Sequence, residues 1–94
     1  MPAYSIVHAD VFDADTYAKY AELAGPAVAA AGGKFLARGG RFEQLEGEGR
    51  PRNVLIEWPD YDTAIAFYNG EAYQAAMEFA RPSSTREYTI VEGV

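Results

Sequence analysis

Residues 53–60 read NVLIEWPD, and this stretch decides the fold. The apolar run from Val54 to Ile56 has no polar residue in alternation, so both faces of the strand that it predicts are apolar. Pro59 ends the strand because it has no backbone N–H, and Asp60 is a typical N-cap for a helix. The stretch therefore predicts a strand that leads directly into a helix.

Patterns on both sides of this stretch predict the remaining elements. Alternation indicates strands, helical spacing of apolar residues indicates helices, and glycine or proline pairs mark the breaks. The predicted elements are a strand over 3–12, a helix from Asp13 to Gly32, a strand over 34–45, a loop over 46–51, a strand over 53–58, a helix from Asp60 to Arg81 with a break at Asn69-Gly70, a loop over 82–84, and a strand over 86–92.

This order is strand, helix, strand, strand, helix, strand. It predicts an α+β fold of the ferredoxin-like βαββαβ type, with both helices on one face of an antiparallel sheet. We expect the 94 residues to form one domain over 1–94, since domains usually run to about 100–150 residues. Within the second strand, Gly39-Gly40 predicts a bulge or a positive φ.

The free face of the predicted sheet is apolar as well. Tyr4 and Ile6 alternate with Val7 and Ala9 along the first strand, so each face of that strand carries apolar side chains. An uncovered apolar sheet face is a large exposed hydrophobic patch, which is typical of a protein–protein interface. The sequence therefore predicts a homodimer that packs through the sheet faces.

Composition excludes several classes of function. With 8 basic and 14 acidic residues the net charge is −6, which argues against nucleic acid and anionic membranes as partners. The absence of cysteine and the single histidine argue against disulfides, thiol chemistry and a metal site, and no cofactor is expected. No apolar run approaches the roughly 18 residues of a membrane span, so a cytoplasmic protein is expected.

Several motifs together resemble a known family. They are Gly32–Gly40 (GGKFLARGG), Val54–Pro59 (VLIEWP), Ala64–Asn69 (AIAFYN) with Tyr73, and Val91–Gly93 (VEG). In this order they resemble the bacterial domain-of-unknown-function family 1330. That resemblance implies a dimeric α+β barrel, in which two ferredoxin-like sheets pack face to face, in a superfamily that includes cofactor-free monooxygenases and isomerases. The chain departs from the family at Asn69-Gly70, where Ser-Pro is frequent.

Two residues are candidates for proton transfer. His8 has the only side chain that titrates near neutral pH without a large shift, so it is a candidate general base. Its alternative role is a hydrogen-bonded histidine at an interface or strand end. Glu57 near the end of the third strand is a second candidate, and its alternative role is a cross-strand ion pair with Arg38.

Four residues are candidates for ligand binding. Arg38 beside the glycine pair can hold a carboxylate or phosphate with its planar fork. Arg81 at a helix end is either an anion clamp or a residue that complements the helix dipole. Tyr68 and Tyr73 either line a cleft or pack in the core.

Two classes of function remain open. The first is a dimeric module that binds a small organic anion or aromatic ligand in a cleft between the sheet and the helices. The alternative is a cofactor-free enzyme, monooxygenase-like or isomerase-like, in which His8 or Glu57 carries a proton. The side chains that line the cleft distinguish these classes, since an enzyme places a titratable group beside an arginine.

Overall fold

A computed structural model describes all residues from 1 to 94 and gives four strands and three α-helices. The elements are β1 (Ala3–Val11), α1 (Ala14–Ala30), β2 (Lys34–Arg38), β3 (Arg52–Trp58), α2 (Tyr61–Asn69), α3 (Glu71–Ala80) and β4 (Ser84–Glu92), with a 3₁₀ turn over Arg81–Ser83. The predicted order is confirmed. The predicted break in the second helix is also confirmed, because α2 and α3 meet at Gly70.

The strands form one antiparallel sheet in the order β2-β3-β1-β4. Alternate residues of β1, from Ala3 to Ala9, are buried. The hydrophobic core joins these strands to all three helices, with Val28 from α1, Phe67 from α2 and Tyr73 from α3 in one cluster. The α+β ferredoxin-like fold is therefore confirmed, with the helices on one side of the sheet.

We call this helix-covered side the inner face and the opposite side the outer face. Alternation along β3 places Val54, Ile56 and Trp58 on the inner face, and their neighbours Leu55 and Glu57 on the outer face. The register of the sheet extends these faces to the other strands. Tyr4, Ile6, His8 and Asp10 of β1 thus lie on the outer face.

The second strand is shorter than the prediction of 34–45. It ends at Arg38, and residues 39–51 form an exposed connection. Gly39 has φ 69°, which confirms that one glycine of the pair takes a positive φ. The bulge lies earlier, between Phe35 and Ala37. The pair therefore ends β2 rather than bending it, because Gly39 turns the chain out of the extended conformation.

A polar chain crosses the core beneath the helices. Trp58 is 1% exposed, and its indole N–H donates to the Oγ of Ser5 at 2.9 Å. The same Oγ lies 2.8 Å from the hydroxyl of Tyr88. The three polar groups of this chain, on Trp58, Ser5 and Tyr88, are thus all paired, which removes the penalty that an unpaired buried group carries.

No helix of the structure combines the length and the apolar character that crossing a membrane requires.

Candidate functional site: an arginine-lined cavity beneath helix α1

A cavity of about 30 Å³ lies between α1 and the inner face of the sheet. Of its 14 lining residues, 11 are hydrophobic. The remaining lining residues are Arg38, Arg52 and Arg86. No aspartate, glutamate or histidine lines the cavity, so its polar character comes from guanidinium groups and tyrosine hydroxyls.

The sheet register brings the three arginines to one end of the inner face. Arg52 of β3 and Arg86 of β4 both pair with Ala9 of β1, so they lie in one row on either side of a small residue. Neighbouring strands lie about 4.8 Å apart, which puts the two backbones about 10 Å from each other. Arg38 of β2 pairs with Val54, one inner-face position along β3 from Arg52.

None of these arginines has an acidic partner. The ion pairs of the structure join Arg50 to Asp10 at 2.6 Å and to Glu87 at 3.6 Å, away from the cavity. The Nε atoms of Arg52 and Arg86 are buried without a hydrogen-bond partner. Charged groups inside proteins are usually paired, because an uncompensated charge in an apolar environment is costly. The cavity therefore has an excess of positive charge and of unused donors.

At the end of the cavity that is buried in the core, Arg86 forms hydrogen bonds with two tyrosines. Its Nη2 donates to the hydroxyl oxygens of Tyr20 at 2.9 Å and of Tyr73 at 3.0 Å. Those two oxygens lie 2.9 Å apart. Burial is the main reason why the pKa of Tyr20 and that of Tyr73 lie above the ordinary tyrosine value. Both hydroxyls therefore stay protonated at neutral pH, and each retains a hydrogen to donate.

At the opposite end of the cavity, near solvent, the guanidinium groups of Arg38 and Arg52 contact aromatic rings. Arg38 lies 4.2 Å from the ring centre of Phe35, and Arg52 lies 5.9 Å from that of Tyr17. Cation–π contact attracts a guanidinium but takes none of its hydrogen-bond donors. Arg38 is exposed, so its guanidinium lies at the mouth of the cavity.

The structure brings together two of the candidate ligand-binding residues, Arg38 and Tyr73, which both line the cavity. Tyr68 packs its ring 5.4 Å from that of Tyr73 but lines a separate surface groove with Tyr88 and Ile65. Arg81 is exposed, and its Nη2 donates to Gln74 at 2.7 Å, outside the cavity.

The two candidate proton carriers lie on the outer face of the sheet. The Nδ1 of His8 is 2.6 Å from the Oδ1 of Asn53 on the neighbouring strand. Glu57 pairs in register with Lys34, whereas Arg38 pairs with Val54. The cross-strand pair of Arg38 and Glu57 is therefore not formed, because the bulge in β2 turns Arg38 to the inner face.

The sequence reasoning missed Arg52, Arg86 and Tyr20. A signal for the arginines was present, since Arg52 is in phase with Val54, Ile56 and Trp58. An arginine in phase with the apolar residues of a strand faces the core side of the sheet. Arg86 shows the same signal, since it is in phase with Tyr88 and Ile90 along its strand.

A family model covers nearly the whole chain. The family is described as "Domain of unknown function (DUF1330)", and its model matches residues 2–94. No curated protein matches the chain.

Solved structures with low sequence identity share the fold. A protein of unknown function from Rhodopseudomonas palustris, RPA0582, matches with a TM-score of 0.78 at 18% identity, over 99% of this chain and 82% of that one. A dimeric protein of unknown function and ferredoxin-like fold from Bacteroides fragilis matches with a TM-score of 0.63 at 15% identity, over 98% and 96%. A variant of SnoaB, a cofactor-independent oxygenase from Streptomyces nogalater, matches with a TM-score of 0.62 at 13% identity, over 98% and 92%.

Proposed function

The chain belongs to the DUF1330 family, a domain of unknown function, and we propose that it binds a small organic anion in the cavity beneath α1. One observation carries this proposal. Three of the 8 basic residues line one cavity, and none of them has a carboxylate partner. A bound anion supplies the missing charge.

The anion is an organic one because the walls are apolar. Tyr17, Phe35 and Tyr88 present ring surface to the cavity, and Val7 and Val54 contribute aliphatic surface from the sheet. Apolar walls with a few convergent polar groups suit a small organic ligand. At about 30 Å³ the cavity is smaller than a benzoate ring needs, so binding requires the mouth at Arg38 to widen. In this proposal Arg38 binds the charge at the mouth and Tyr73 contributes a wall with a hydroxyl.

The global charge makes the local site necessary. At a net charge of −6 the protein repels anions at a distance, so an acidic ligand gains nothing from the overall field. Binding then depends on the cavity arginines alone. The affinity is expected to fall when a single one of them is removed.

A thermal-shift screen of small carboxylates and phenols tests the proposal. We expect benzoate to raise the melting temperature of the wild type, because a ligand that binds only the folded state stabilises it. Arg38→Ala should reduce this shift. Arg81→Ala is the matched control, since Arg81 lies outside the cavity, and it should retain the full shift. Equal shifts in both variants would contradict the assignment of Arg38.

A cofactor-free enzyme is the second candidate function. The fixed position of the His8 ring supports it, because its Nδ1 lies 2.6 Å from the Oδ1 of Asn53, and a general base must be held in place to transfer a proton. SnoaB, which is described as a cofactor-independent oxygenase, has the same fold. In this candidate His8 and Glu57 act on a ligand at the outer face, since neither lines the cavity. Loss of turnover in His8→Ala and Glu57→Ala would support those roles.

We also propose a homodimer that packs through the outer face. Ile6 and Leu55 are half-buried there, and Val91 of β4 is 44% exposed. A structure with the same fold is described as that of a dimeric protein. The cavity lies on the inner face, so both protomers of such a dimer keep it open to ligand.

A further inference from the structure

The single histidine lies in a row of polar side chains across the outer face of the sheet. His8 of β1 pairs in register with Asn53 of β3 on one side and with Glu87 of β4 on the other. Side chains that are paired in this way have Cβ atoms about 5 Å apart, so both neighbours are close enough to contact the imidazole. Only one of them does: Nδ1 of His8 lies 2.6 Å from Oδ1 of Asn53.

The side-chain amide of Asn53 has a fixed orientation. Its Nδ2 donates to the backbone carbonyl oxygen of Arg50 at 3.3 Å. A carbonyl oxygen can only accept, so the amide nitrogen must face Arg50 and the amide oxygen must face His8. Rotation of the amide by half a turn would place two acceptor oxygens against each other.

This orientation determines the tautomer of His8. An amide oxygen does not donate, so the hydrogen in the contact of 2.6 Å belongs to Nδ1. A neutral imidazole carries a single N–H, and Nε2 is therefore unprotonated. The two ring nitrogens point in diverging directions, which turns Nε2 away from Asn53. Nε2 has no hydrogen-bond partner in the protein, so its lone pair is free.

The carboxylates beside His8 are engaged with an arginine and not with the imidazole. Nη1 of Arg50 donates to Asp10 at 2.6 Å, and Nε of Arg50 lies 3.6 Å from Oε1 of Glu87. A carboxylate would favour a hydrogen on Nε2 only if it accepted that hydrogen. Because Arg50 occupies both carboxylates, the contact with Asn53 is the one that sets the tautomer.

We propose that Asn53 is a positioning residue that makes Nε2 of His8 a proton acceptor at the outer face. The inference deepens the second candidate function, the cofactor-free enzyme, and rests on it. A free imidazole favours the other tautomer, in which Nε2 carries the hydrogen and has no lone pair to accept a proton. The hydrogen bond to Asn53 reverses that preference, since the bond made by one ring nitrogen decides which nitrogen is protonated.

The transfer step requires no further reactant. A ligand with an acidic hydrogen approaches Nε2, a bond forms between Nε2 and that hydrogen, and the bond from the hydrogen to the ligand breaks. The electron pair of the broken bond stays on the ligand. His8 becomes an imidazolium, whose Nδ1–H still donates to Asn53.

Glu57 does not share this proton. It lies opposite Tyr4, four residues along β1 from His8, so about 13 Å of strand separates the two positions. Their side chains are too far apart to contact the same ligand atom. Within the enzyme candidate, the structure thus favours His8 as the residue that accepts the proton.

Two-bond ¹H–¹⁵N correlation NMR of the ¹⁵N-labelled full chain measures the tautomer directly. His8 is the only histidine, so its ring nitrogens give unambiguous signals. At a pH at which the ring is neutral, we expect Nδ1 to show the chemical shift of a protonated nitrogen and Nε2 that of an unprotonated one. Diethyl pyrocarbonate, which acylates unprotonated imidazole nitrogens, tests access to the lone pair, and we expect it to modify His8 at Nε2.

Two variants and one control assign the effect to Asn53. Asn53→Leu removes the acceptor, so the ratio of the tautomers should shift about tenfold towards the form with hydrogen on Nε2. Asn53→Asp keeps an acceptor oxygen and should retain the wild-type tautomer. Glu87→Gln is the matched control on the other side of His8 and should leave the tautomer unchanged. Melting temperatures establish that each variant is folded, and the wild-type spectrum is decisive even if Asn53→Leu does not fold.

The outcomes separate the inference from the function on which it rests. A hydrogen on Nδ1 that depends on Asn53, together with acylation at Nε2, supports the inference. A hydrogen on Nε2 in the wild type overturns it, and the enzyme candidate then depends on Glu57. A wild-type tautomer that persists in Asn53→Leu, or an Nε2 that diethyl pyrocarbonate does not reach, also overturns it. Turnover that is unchanged in His8→Ala would contradict the catalytic role of His8, whereas the tautomer assignment would stand.

Discussion

The guanidinium of Arg38 rests against Gly25 of helix α1, so close that a Cβ atom built on Gly25 would lie 2.9 Å from its Nη2. The glycine thus makes room for the arginine at the mouth of the cavity. This contact explains a glycine at an interior position of a helix, where it is otherwise unfavourable by about 1 kcal/mol relative to alanine.

Gly25→Ala is expected to separate ligand binding from stability. The new methyl group displaces the end of a flexible side chain, which is inexpensive, while alanine favours the helix. The free energy of unfolding in urea should stay constant or rise by up to about 1 kcal/mol. The stabilisation by benzoate should decrease, because Arg38 moves. Gly40→Ala is the control, since a Cβ there meets nothing within 4 Å. If Gly25→Ala retained the full increase in melting temperature with benzoate, the link between Gly25 and Arg38 would be refuted.

Gly39→Val should destabilise the fold by more than about 1 kcal/mol. Gly39 has φ 69°, which a β-branched residue adopts only with strain, and a Cβ there would lie 2.5 Å from Nη1 of Arg52. Urea unfolding measures the loss. Gly40→Val at the neighbouring position has open space and no positive φ, and it should change the free energy of unfolding far less. Equal losses at both positions would be inconsistent with this account.

Ser5→Ala should cost about 1–3 kcal/mol, because it leaves the indole N–H of Trp58 without its acceptor. Tyr88→Phe removes only the contact of 2.8 Å between that hydroxyl and Ser5, so its loss should be smaller. Chemical denaturation of both variants gives the comparison. If Ser5→Ala were neutral, the polar chain across the core would contribute nothing to stability.

Ile6→Glu should convert the proposed dimer to a monomer, because it places a charge in the middle of the outer face. Light scattering at micromolar concentration should give about twice the chain mass for the wild type and the single-chain mass for the variant. Leu23→Glu is the control: Leu23 is 44% exposed on α1, away from the sheet, and its variant should stay dimeric. A monomeric wild type with no concentration dependence would contradict the interface.

The fold could be predicted because its signals are local. The alternation along β1, the proline and aspartate after Trp58, and the break at Gly70 each fix an element without reference to distant residues. The end of β2 was misplaced because polar, glycine-containing sequence after Arg38 resembles an irregular strand. Only the three-dimensional structure shows that Gly39 leaves the sheet.

The site was less predictable because it depends on which face a side chain takes. Arg38 and Tyr73, two of the candidate residues, line the cavity, but the pairing of Arg38 with Glu57 assumed regular alternation through a strand that contains a bulge. The Tyr20–Tyr73–Arg86 cluster joins α1, α3 and β4, which are distant in sequence. No spacing rule connects these residues, so their convergence required the packing of helices on the sheet.

The most direct measurement of the central claim is a crystal structure of the protein with 4-bromobenzoate, whose bromine is located by anomalous scattering. We predict the bromine and the ring within the cavity beneath α1, with the carboxylate in hydrogen-bonding contact with Arg38, Arg52 or Arg86. A bromobenzoate on the outer face, or an empty cavity in crystals that hold the ligand elsewhere, would contradict the proposal that this cavity is the anion-binding site.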